Sequence, residues 1–384
     1  MPAKGRHLPY GRQEIDEADI AAVVETLRST WLTTGPKVEE FEAKFAEAAG
    51  TRHAVAVSSG TAALHAMTYS LGIGPGDEVI VPAMTFAATA NCVLYQGATP
   101  IFADIDRETL LISPADAYRK VSPRTKAIIG VDYAGHPADY RALDEISRSS
   151  GIPLLADACH SLGASMNGAT AGSLALASAF SLHPVKPITT GEGGVVTTDD
   201  GALARRLKTF RNHGITTDHR ERDIRGDWFY EMVDLGYNYR LSDIQCALGI
   251  SQLTKLRGWV DRRQTLASRY DRAFSNTPWV RPLRVLPGVS HAYHLYVVRV
   301  PAQERGHVFR ELRRQGIGVQ VHYVPVHLHP YYQNVLGTGP GTCPAAEAAY
   351  EEILSLPIFP AMTEDDVDFV VSALCELLPA KEVA

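Results

Sequence analysis

One lysine sits in a loop whose composition is unusual for a lysine. Lys186 lies in SLHPVKPITTGEGG between two prolines, and Pro187 disfavours helical backbone geometry at the lysine. A lysine held in a stiff, weakly charged loop can be kept poorly solvated, which lowers its pKa and makes its amine nucleophilic. A lysine that simply points to water fits poorly with the two prolines and the glycine-rich turn that follows.

Other predicted strand ends supply a carboxylate and an anion site. Asp157 ends the apolar run IPLLAD, so its carboxylate is desolvated unless a cation meets it. Gly60 and Thr61 open a predicted helix, whose free N–H groups favour an anion, and Ser181 can add a hydroxyl donor. We call Gly60, Thr61 and Ser181 the anion cradle. Taken singly, Asp157 could be a helix N-cap, and SSGT could be an ordinary capped turn.

An amine, a carboxylate and an anion site together match the needs of pyridoxal 5′-phosphate. That cofactor requires an amine for a covalent imine, a carboxylate against its ring nitrogen, an anion site for its phosphate and a flat surface for its ring. Lys186, Asp157 and the anion cradle supply the first three. Phe86 in MTFAATAN could stack on the ring, although a core phenylalanine is the competing interpretation.

The elements that must position these residues alternate between strands and helices. Between residues 50 and 200 there are seven short apolar runs, from HAVAVSS to GGVVTTD, and most resemble buried strands of a largely parallel sheet. Helical segments such as GTAALHAMTYSLGI lie between them, which predicts an α/β layered domain. Ligands of such sheets bind at the carboxyl ends of the strands.

The chain after residue 200 is more helical and ends in a smaller α+β unit. The segment from LSDIQ to DRAF is long for one helix, so we expect a bend near Gly258. We predict a large domain over 1–255, including an N-terminal arm and helix, and a small domain over 256–384. SHAYHLYVVRV and GVQVHYVP are predicted strands, and AQERGHVFRELRRQGI is a predicted helix. Thr363 is expected to cap the last helix with Asp366.

Composition narrows the class of function. A chain of 384 residues is long enough for a large and a smaller domain. The net charge of -6 gives no global basic footprint for nucleic acid, and no apolar run approaches the length of a membrane span. The N-terminal sequence has no apolar signal core, and the five cysteines include no C-x-x-C pair. We therefore expect a reduced, cytoplasmic protein.

Four separated motifs carry a family resemblance, and they occur in order: SSGTAAL, ADACHSLGA, SLHPVKPITTGEGGVVTT and LGYNYRLSDIQCALGISQL. Over nearly its whole length the chain resembles the DegT/DnrJ/StrS family of sugar-nucleotide aminotransferases. The resemblance implies the aspartate-aminotransferase-like fold, fold type I of the PLP-dependent transferases. In that α/β fold the large domain has a mostly parallel seven-stranded sheet, and a smaller α+β domain follows.

The resemblance also implies roles for the residues around the cofactor. Lys186 would form the imine and act as general base and acid, and Asp157 would pair with the pyridinium nitrogen. The anion cradle would hold the phosphate, Phe86 would stack on the ring, and His160 would lie near the 3′ oxygen. Asn238 would reach the phosphate of a neighbouring subunit, which implies a homodimer with shared active sites.

The substrate is implied by the branch of the family. SLHPVKPITTGEGG and VQVHYVPVHLHPYYQ most resemble the pseudaminic-acid branch, whose enzymes aminate C4 of UDP-4-keto-6-deoxy-N-acetyl-L-altrosamine, with L-glutamate as the expected donor. His322 and Tyr323 would lie near the sugar nucleotide, and Arg240 could meet its diphosphate or the donor carboxylate. The alternatives are another keto sugar nucleotide (dTDP-, GDP- or a different UDP-sugar) and a PLP-dependent sugar dehydratase. In such dehydratases the lysine is commonly replaced by histidine, so Lys186 favours amino transfer.

Three other classes of function have weaker support. A non-catalytic binding module would not need an imine-forming lysine. A metal hydrolase could use His322, His327 and His329, but their spacing does not match a zinc pattern such as H-E-x-x-H, and we expect no metal. Cys159 stands next to His160, yet neighbours on a strand point to opposite faces, which argues against a thiol–imidazole pair.

Overall fold

The protein is described by a computed structural model that covers residues 7–217 and 219–378. Its strands are β1 (His53–Val57), β2 (Glu78–Pro82), β3 (Thr99–Ala103), β4 (Thr125–Val131), β5 (Leu154–Asp157), β6 (Ser165–Met166), β7 (Ala169–Thr170), β8 (Ala177–Ser181), β9 (Gly194–Thr198), β10 (Arg281–Pro282), β11 (Val289–Ser290), β12 (Tyr296–Arg299) and β13 (Ile353–Leu356).

Helices precede, separate and follow these strands along the chain. They are α1 (Glu17–Arg28), α2 (Pro36–Ala49), α3 (Gly60–Ser70), α4 (Ala88–Leu94), α5 (Pro114–Arg119), α6 (Tyr140–Ser150), α7 (Gly201–Phe210), α8 (His219–Arg225), α9 (Asp243–Leu253), α10 (Leu256–Phe274), α11 (Ala302–Arg314), α12 (Pro330–Leu336), α13 (Pro344–Glu352) and α14 (Glu364–Leu377). Among the described residues, no helix has the combined length and apolar character that crossing a membrane requires.

A seven-stranded sheet forms the centre of the large unit, in the order β1-β9-β8-β5-β4-β2-β3. Only β9 runs antiparallel to its neighbours in this sheet. Alternate residues of one strand enter different hydrophobic cores: Val55 and Val57 pack in one, whereas Ala54 and Ala56 pack in the other. A sheet buried on both faces explains the nearly continuous apolar runs, and the predicted mostly parallel seven-stranded sheet is confirmed.

The long helical segment breaks earlier than we expected. α9 ends at Leu253 and α10 begins at Leu256, so the prediction of a bend near Gly258 was wrong by a few residues. At the break the Thr254 hydroxyl donates to the Ser251 carbonyl oxygen, 2.6 Å away. The Lys255 ammonium lies 2.8 Å from the Asp19 carboxylate of α1. Both contacts lie at the end of α9. Gly258 lies inside α10, where an added Cβ would have no atom within 4 Å.

A third hydrophobic core forms around the antiparallel sheet β10-β12-β13. It is built from α10, α11 and α14 together with these strands, and Leu8 of the N-terminal segment joins it. Thr363 caps α14 in a capping box with Asp366, as predicted. GVQVHYVP is not a strand, because its only bridge in the described chain joins Gln320 to Ser355. The division into domains at residues 255 and 256 stays a prediction.

Candidate active site

Most of the predicted residues meet in one cavity at the carboxyl end of the large sheet. It has a volume of about 420 Å³. β5 and β8 are parallel neighbours with Asp157 paired to Ala179, so the segments that follow both strands open on the same edge. The predicted residues that line the cavity are Gly60, Thr61, Phe86, Asp157, His160, Ser181, Lys186, His322 and Tyr323.

The Lys186 loop is folded back on the end of β8. The Lys186 amide donates to the His183 carbonyl oxygen at 2.9 Å, and Thr190 N donates to Leu182 O at 3.1 Å. Thr189 adds a bond from its hydroxyl to the same Leu182 oxygen at 2.9 Å. Burial lowers the pKa of Lys186 although the nearby Cys159 and Asp157 charges act in the opposite direction. The amine is therefore partly available as a free base at lower pH than an exposed lysine.

The Asp157 carboxylate is buried and fixed by neighbouring donors. It is the last residue of β5 and 6% exposed. Its Oδ2 accepts from Thr89 Oγ1 at 2.6 Å, and its Oδ1 accepts from the Cys159 amide at 3.2 Å. The chain makes a turn at Cys159 and His160 and no helix begins there, so the N-cap interpretation is wrong. The carboxylate instead lines the same cavity as Lys186.

The anion cradle is a tightly packed backbone feature. Ser59 caps α3 by accepting from the Ala62 amide at 3.1 Å, which leaves Gly60 and Thr61 in the first turn with N–H groups that have no helical partner. A Cβ added at Gly60 would lie 2.8 Å from Ser181 Cβ and 3.2 Å from Cys159 Sγ. Only glycine therefore allows α3 and the end of β8 to approach this closely, with the hydroxyl of Ser181 beside the helix start.

Aromatic and imidazole rings form another wall of the cavity. Tyr323 Oη and His160 Nε2 lie 3.1 Å apart, and His322 Nδ1 lies 2.9 Å from Ser355 Oγ. Burial, with the nearby Lys186 charge, lowers the pKa of His160 well below its usual range and that of His322 to about 4. Both imidazoles are therefore neutral at neutral pH. Phe86 is 58% exposed, which rules out the core interpretation for its ring.

Two predicted residues lie outside this cavity. Arg240 lines a separate cavity of about 400 Å³ next to α2 and α7, where its guanidinium donates to Asn212 Oδ1 at 2.9 Å. Asn238 pairs with the backbone of Asn212 in an isolated bridge. Neither residue therefore meets Lys186 within its own chain. The assignment of Asn238 to a neighbouring subunit stays a prediction, and so does a contact of Arg240 with substrate.

The residues behind the weaker alternatives are engaged elsewhere. His327 is fully buried, with its Nε2 2.9 Å from Glu347 Oε1. Across residues 7–217 and 219–378, no group of three or more His, Cys, Asp or Glu side chains could hold a metal ion. Cys159 lines the cavity, but burial and the Asp157 charge raise the pKa of its thiol well above the usual value. A thiolate nucleophile is therefore disfavoured.

Three residues of the site were not predicted from the sequence. Thr89 on α4 holds Asp157, although nothing in MTFAATAN marks it. Tyr10 of the N-terminal segment and His294, just before β12, also line the cavity. A histidine inside the apolar run SHAYHLYVV was the only available hint for His294, since polar groups within buried segments need a reason.

The chain is similar to known proteins over nearly its whole length. The model of the DegT/DnrJ/EryC1/StrS aminotransferase family matches residues 13–375. The spore coat polysaccharide biosynthesis protein SpsC of Bacillus subtilis is 41% identical, over 98% of this chain and 99% of that protein. Spr1654 of Streptococcus pneumoniae in its PLP form is 32% identical with a TM-score of 0.90, over 97% and 98% of the two chains. Helicobacter pylori PseC, an aminotransferase of pseudaminic acid biosynthesis, is 32% identical with a TM-score of 0.91, over 97% and 99%.

Proposed function

This chain belongs to the DegT/DnrJ/EryC1/StrS aminotransferase family, and we propose that it moves an amino group from L-glutamate to C4 of a nucleotide-linked 4-keto-6-deoxy sugar. One observation carries the proposal. The amine of Lys186, the fixed carboxylate of Asp157 and the anion cradle line a single cavity. Amino transfer with pyridoxal 5′-phosphate needs these three groups together. A protein that only binds a phosphorylated ligand would need the anion cradle alone.

The cofactor of the family is pyridoxal 5′-phosphate, and the residues of this cavity fit it. The close approach at Gly60 places the Ser181 side chain beside the start of α3, and the buried Nδ1 of His160 has no partner among the described residues. Lys186 would hold the cofactor covalently, Asp157 would hold its ring nitrogen, and the anion cradle would hold its phosphate. When bound, the cofactor supplies a carbon that takes up the amino group and a ring that withdraws electrons.

The chain's own residues then move protons and fix orientation. Lys186 Nζ takes the proton from Cα of the donor amino acid, and in the second half-reaction it returns a proton to C4 of the sugar. Its lowered pKa suits this exchange, because a base works best when its pKa lies near the working pH. The Asp157 carboxylate, held by the Thr89 hydroxyl, keeps a proton on the ring nitrogen. Donor and acceptor bind in turn, so ping-pong kinetics follow.

The acceptor we propose is UDP-4-keto-6-deoxy-N-acetyl-L-altrosamine, which would place the enzyme in pseudaminic acid and cell-surface polysaccharide biosynthesis. Support comes from the sequence around Lys186, which resembles the pseudaminic-acid branch of the family, and from the similarity to PseC. His322 and Tyr323, from the segment after residue 317, both line the cavity. They would contact the sugar ring, with Phe86 and Tyr323 as neighbouring aromatic surfaces 5.8 Å apart.

We also propose a cytoplasmic homodimer with shared active sites. An exposed apolar segment supports the dimer: Ile224, Trp228 and Leu235 are 84%, 83% and 71% exposed, and monomers rarely leave such contiguous apolar surface uncovered. The segment ends next to Asn238, which would then reach the phosphate held by the other subunit. All five cysteines are free thiols, as expected for a reducing compartment.

The test combines product identification with covalent trapping. Purified protein is incubated with L-glutamate and a panel of UDP-, dTDP- and GDP-linked keto sugars, and the amino sugar is identified by mass spectrometry and NMR. Borohydride reduction of the cofactor-loaded protein, followed by peptide mapping, should label Lys186. Lys126→Ala, at an exposed lysine, is the matched control and should keep the label. A label at another residue, or no amino sugar from any acceptor, would refute the proposal.

A further inference from the structure

His294 is a buried histidine that lines the Lys186 cavity. It lies just before β12 and is 5% exposed. Its ring packs on the ring of His160, with the two centroids 4.4 Å apart and the planes tilted by 46°. Tyr323 is the other ring near His160, stacked at a centroid distance of 6.2 Å. The imidazole of His160 therefore packs against the rings of both His294 and Tyr323.

Hydrogen bonds alone do not fix the orientation of His160. Its Nε2 is within bonding distance of the Tyr323 hydroxyl, but its Nδ1 is buried and has no partner among the described residues. The Nδ1 of His294 is likewise buried and has no hydrogen-bond partner among the described residues. A single bond to a hydroxyl leaves the imidazole free to turn about that contact, so packing must supply the remaining constraint, and the shorter of the two ring contacts is the one with His294.

A buried arginine fixes the backbone that carries His294. Arg263 of α10 is 1% exposed. Its guanidinium donates to the carbonyl oxygens of Ile358 at 2.7 Å, Tyr293 at 3.1 Å and His294 at 3.5 Å. Burial lowers the pKa of Arg263 to about 10, which shows how poorly this charge is solvated. These hydrogen bonds tie the His294 segment to α10.

We propose that His294 is a positioning residue, whose ring holds the imidazole of His160 in place in the Lys186 cavity and is itself held by the Arg263 clamp on its backbone. The role rests on the proposed amino transfer only in so far as His160 contacts the cofactor. With this role for His294, the β12 segment, which packs in the core around β10-β12-β13, becomes part of the wall that orients the cofactor.

The test compares His294→Ala, which removes the ring, with His294→Phe, which keeps ring packing without nitrogen atoms. His327→Ala is the matched control, because His327 is a fully buried histidine that is bound to Glu347 and does not line the cavity. The first measurement uses cofactor-free protein labelled with ¹⁵N-histidine, with His160 assigned through His160→Gln. Burial keeps the pKa of His160 well below its usual value, so loss of the covering ring should raise it.

In His294→Ala we expect the His160 signals to titrate at higher pH than in the wild type, and in His294→Phe and His327→Ala we expect no such change. In cofactor-loaded protein, the pH midpoint of the chromophore should shift in His294→Ala only. The glutamate half-reaction should slow by about 10- to 100-fold, with little change in KM, and His294→Phe should recover most of the rate.

The proposal is overturned if His160 signals in His294→Ala match the wild type in a folded protein, or if His294→Phe is as slow as His294→Ala. The NMR and chromophore titrations need no substrate, so they decide the role of His294 even if glutamate proves to be the wrong donor. Failure of the proposed function would appear differently, as a wild-type protein that carries no cofactor label on Lys186.

Discussion

Replacing Gly60 by alanine should weaken cofactor binding through its phosphate group. The new Cβ would lie 2.8 Å from Ser181 Cβ, an atom tied directly to the end of β8 and unable to swing away. Either the start of α3 or the end of β8 must move, and overpacking of this kind costs about 1–3 kcal/mol. If the substitution destabilises the cofactor-bound conformation by this amount relative to the cofactor-free one, the Kd of the cofactor rises by about 5- to 150-fold.

The control is the same substitution at another helical glycine. Gly258 lies in α10, is exposed, and has no atom within 4 Å of an added Cβ. Alanine there should stabilise the protein by about 0.5–1 kcal/mol, because it removes backbone freedom from the unfolded chain. Gly60→Ala and Gly258→Ala should therefore change the stability of the cofactor-free protein in opposite directions.

The assay titrates cofactor-free protein with pyridoxal 5′-phosphate and with pyridoxal, followed by absorbance, together with thermal unfolding of each variant. Gly60→Ala should lose affinity for the phosphorylated compound and show little change for pyridoxal. An unchanged Kd for pyridoxal 5′-phosphate in a folded Gly60→Ala protein would refute the idea that this close approach shapes the anion site. Equal losses for both compounds would instead place the damage at the ring or the lysine.

Three further predictions follow from individual contacts. Lys186→Ala should abolish turnover and borohydride labelling while cofactor-free protein unfolds at a similar or higher temperature, since a poorly solvated amine is removed; residual turnover near the wild-type rate would contradict this. Thr89→Val should weaken cofactor binding by about 10- to 100-fold, because a buried charged acceptor on Asp157 loses its donor; Thr89→Ser is the control, and equal binding by both variants would exclude a role for the hydroxyl. The pKa of His322 is lowered from 6.5 to about 4, so protonation opposes folding increasingly as pH falls through this window. His322→Gln should remove up to about 3 kcal/mol of that acid destabilisation, measured by urea unfolding at neutral pH and near pH 4, and an identical pH slope in both proteins would refute it.

The sequence alone indicated which residues would line the candidate site, because their signals are local. Lys186 between prolines, Asp157 after an apolar run and Gly60 before a helix each follow a strand, and parallel strands place their carboxyl ends along one edge. That rule is enough to bring the three into one cavity, as the structure confirms. The same locality explains the correct prediction of the Thr363 cap, since its partner Asp366 lies within the same helical turn.

Tertiary structure decided the contacts between distant segments. Thr89 meets Asp157, and Arg263 reaches the carbonyl of His294, across separations in the chain that no local pattern encodes. It also placed Arg240 in a different cavity from Lys186. GVQVHYVP has the composition of a strand but lacks a neighbour to pair with along its length, and a strand exists only through such pairing. Local sequence therefore determined which groups stand at strand ends, whereas packing between remote elements determined how those groups are held.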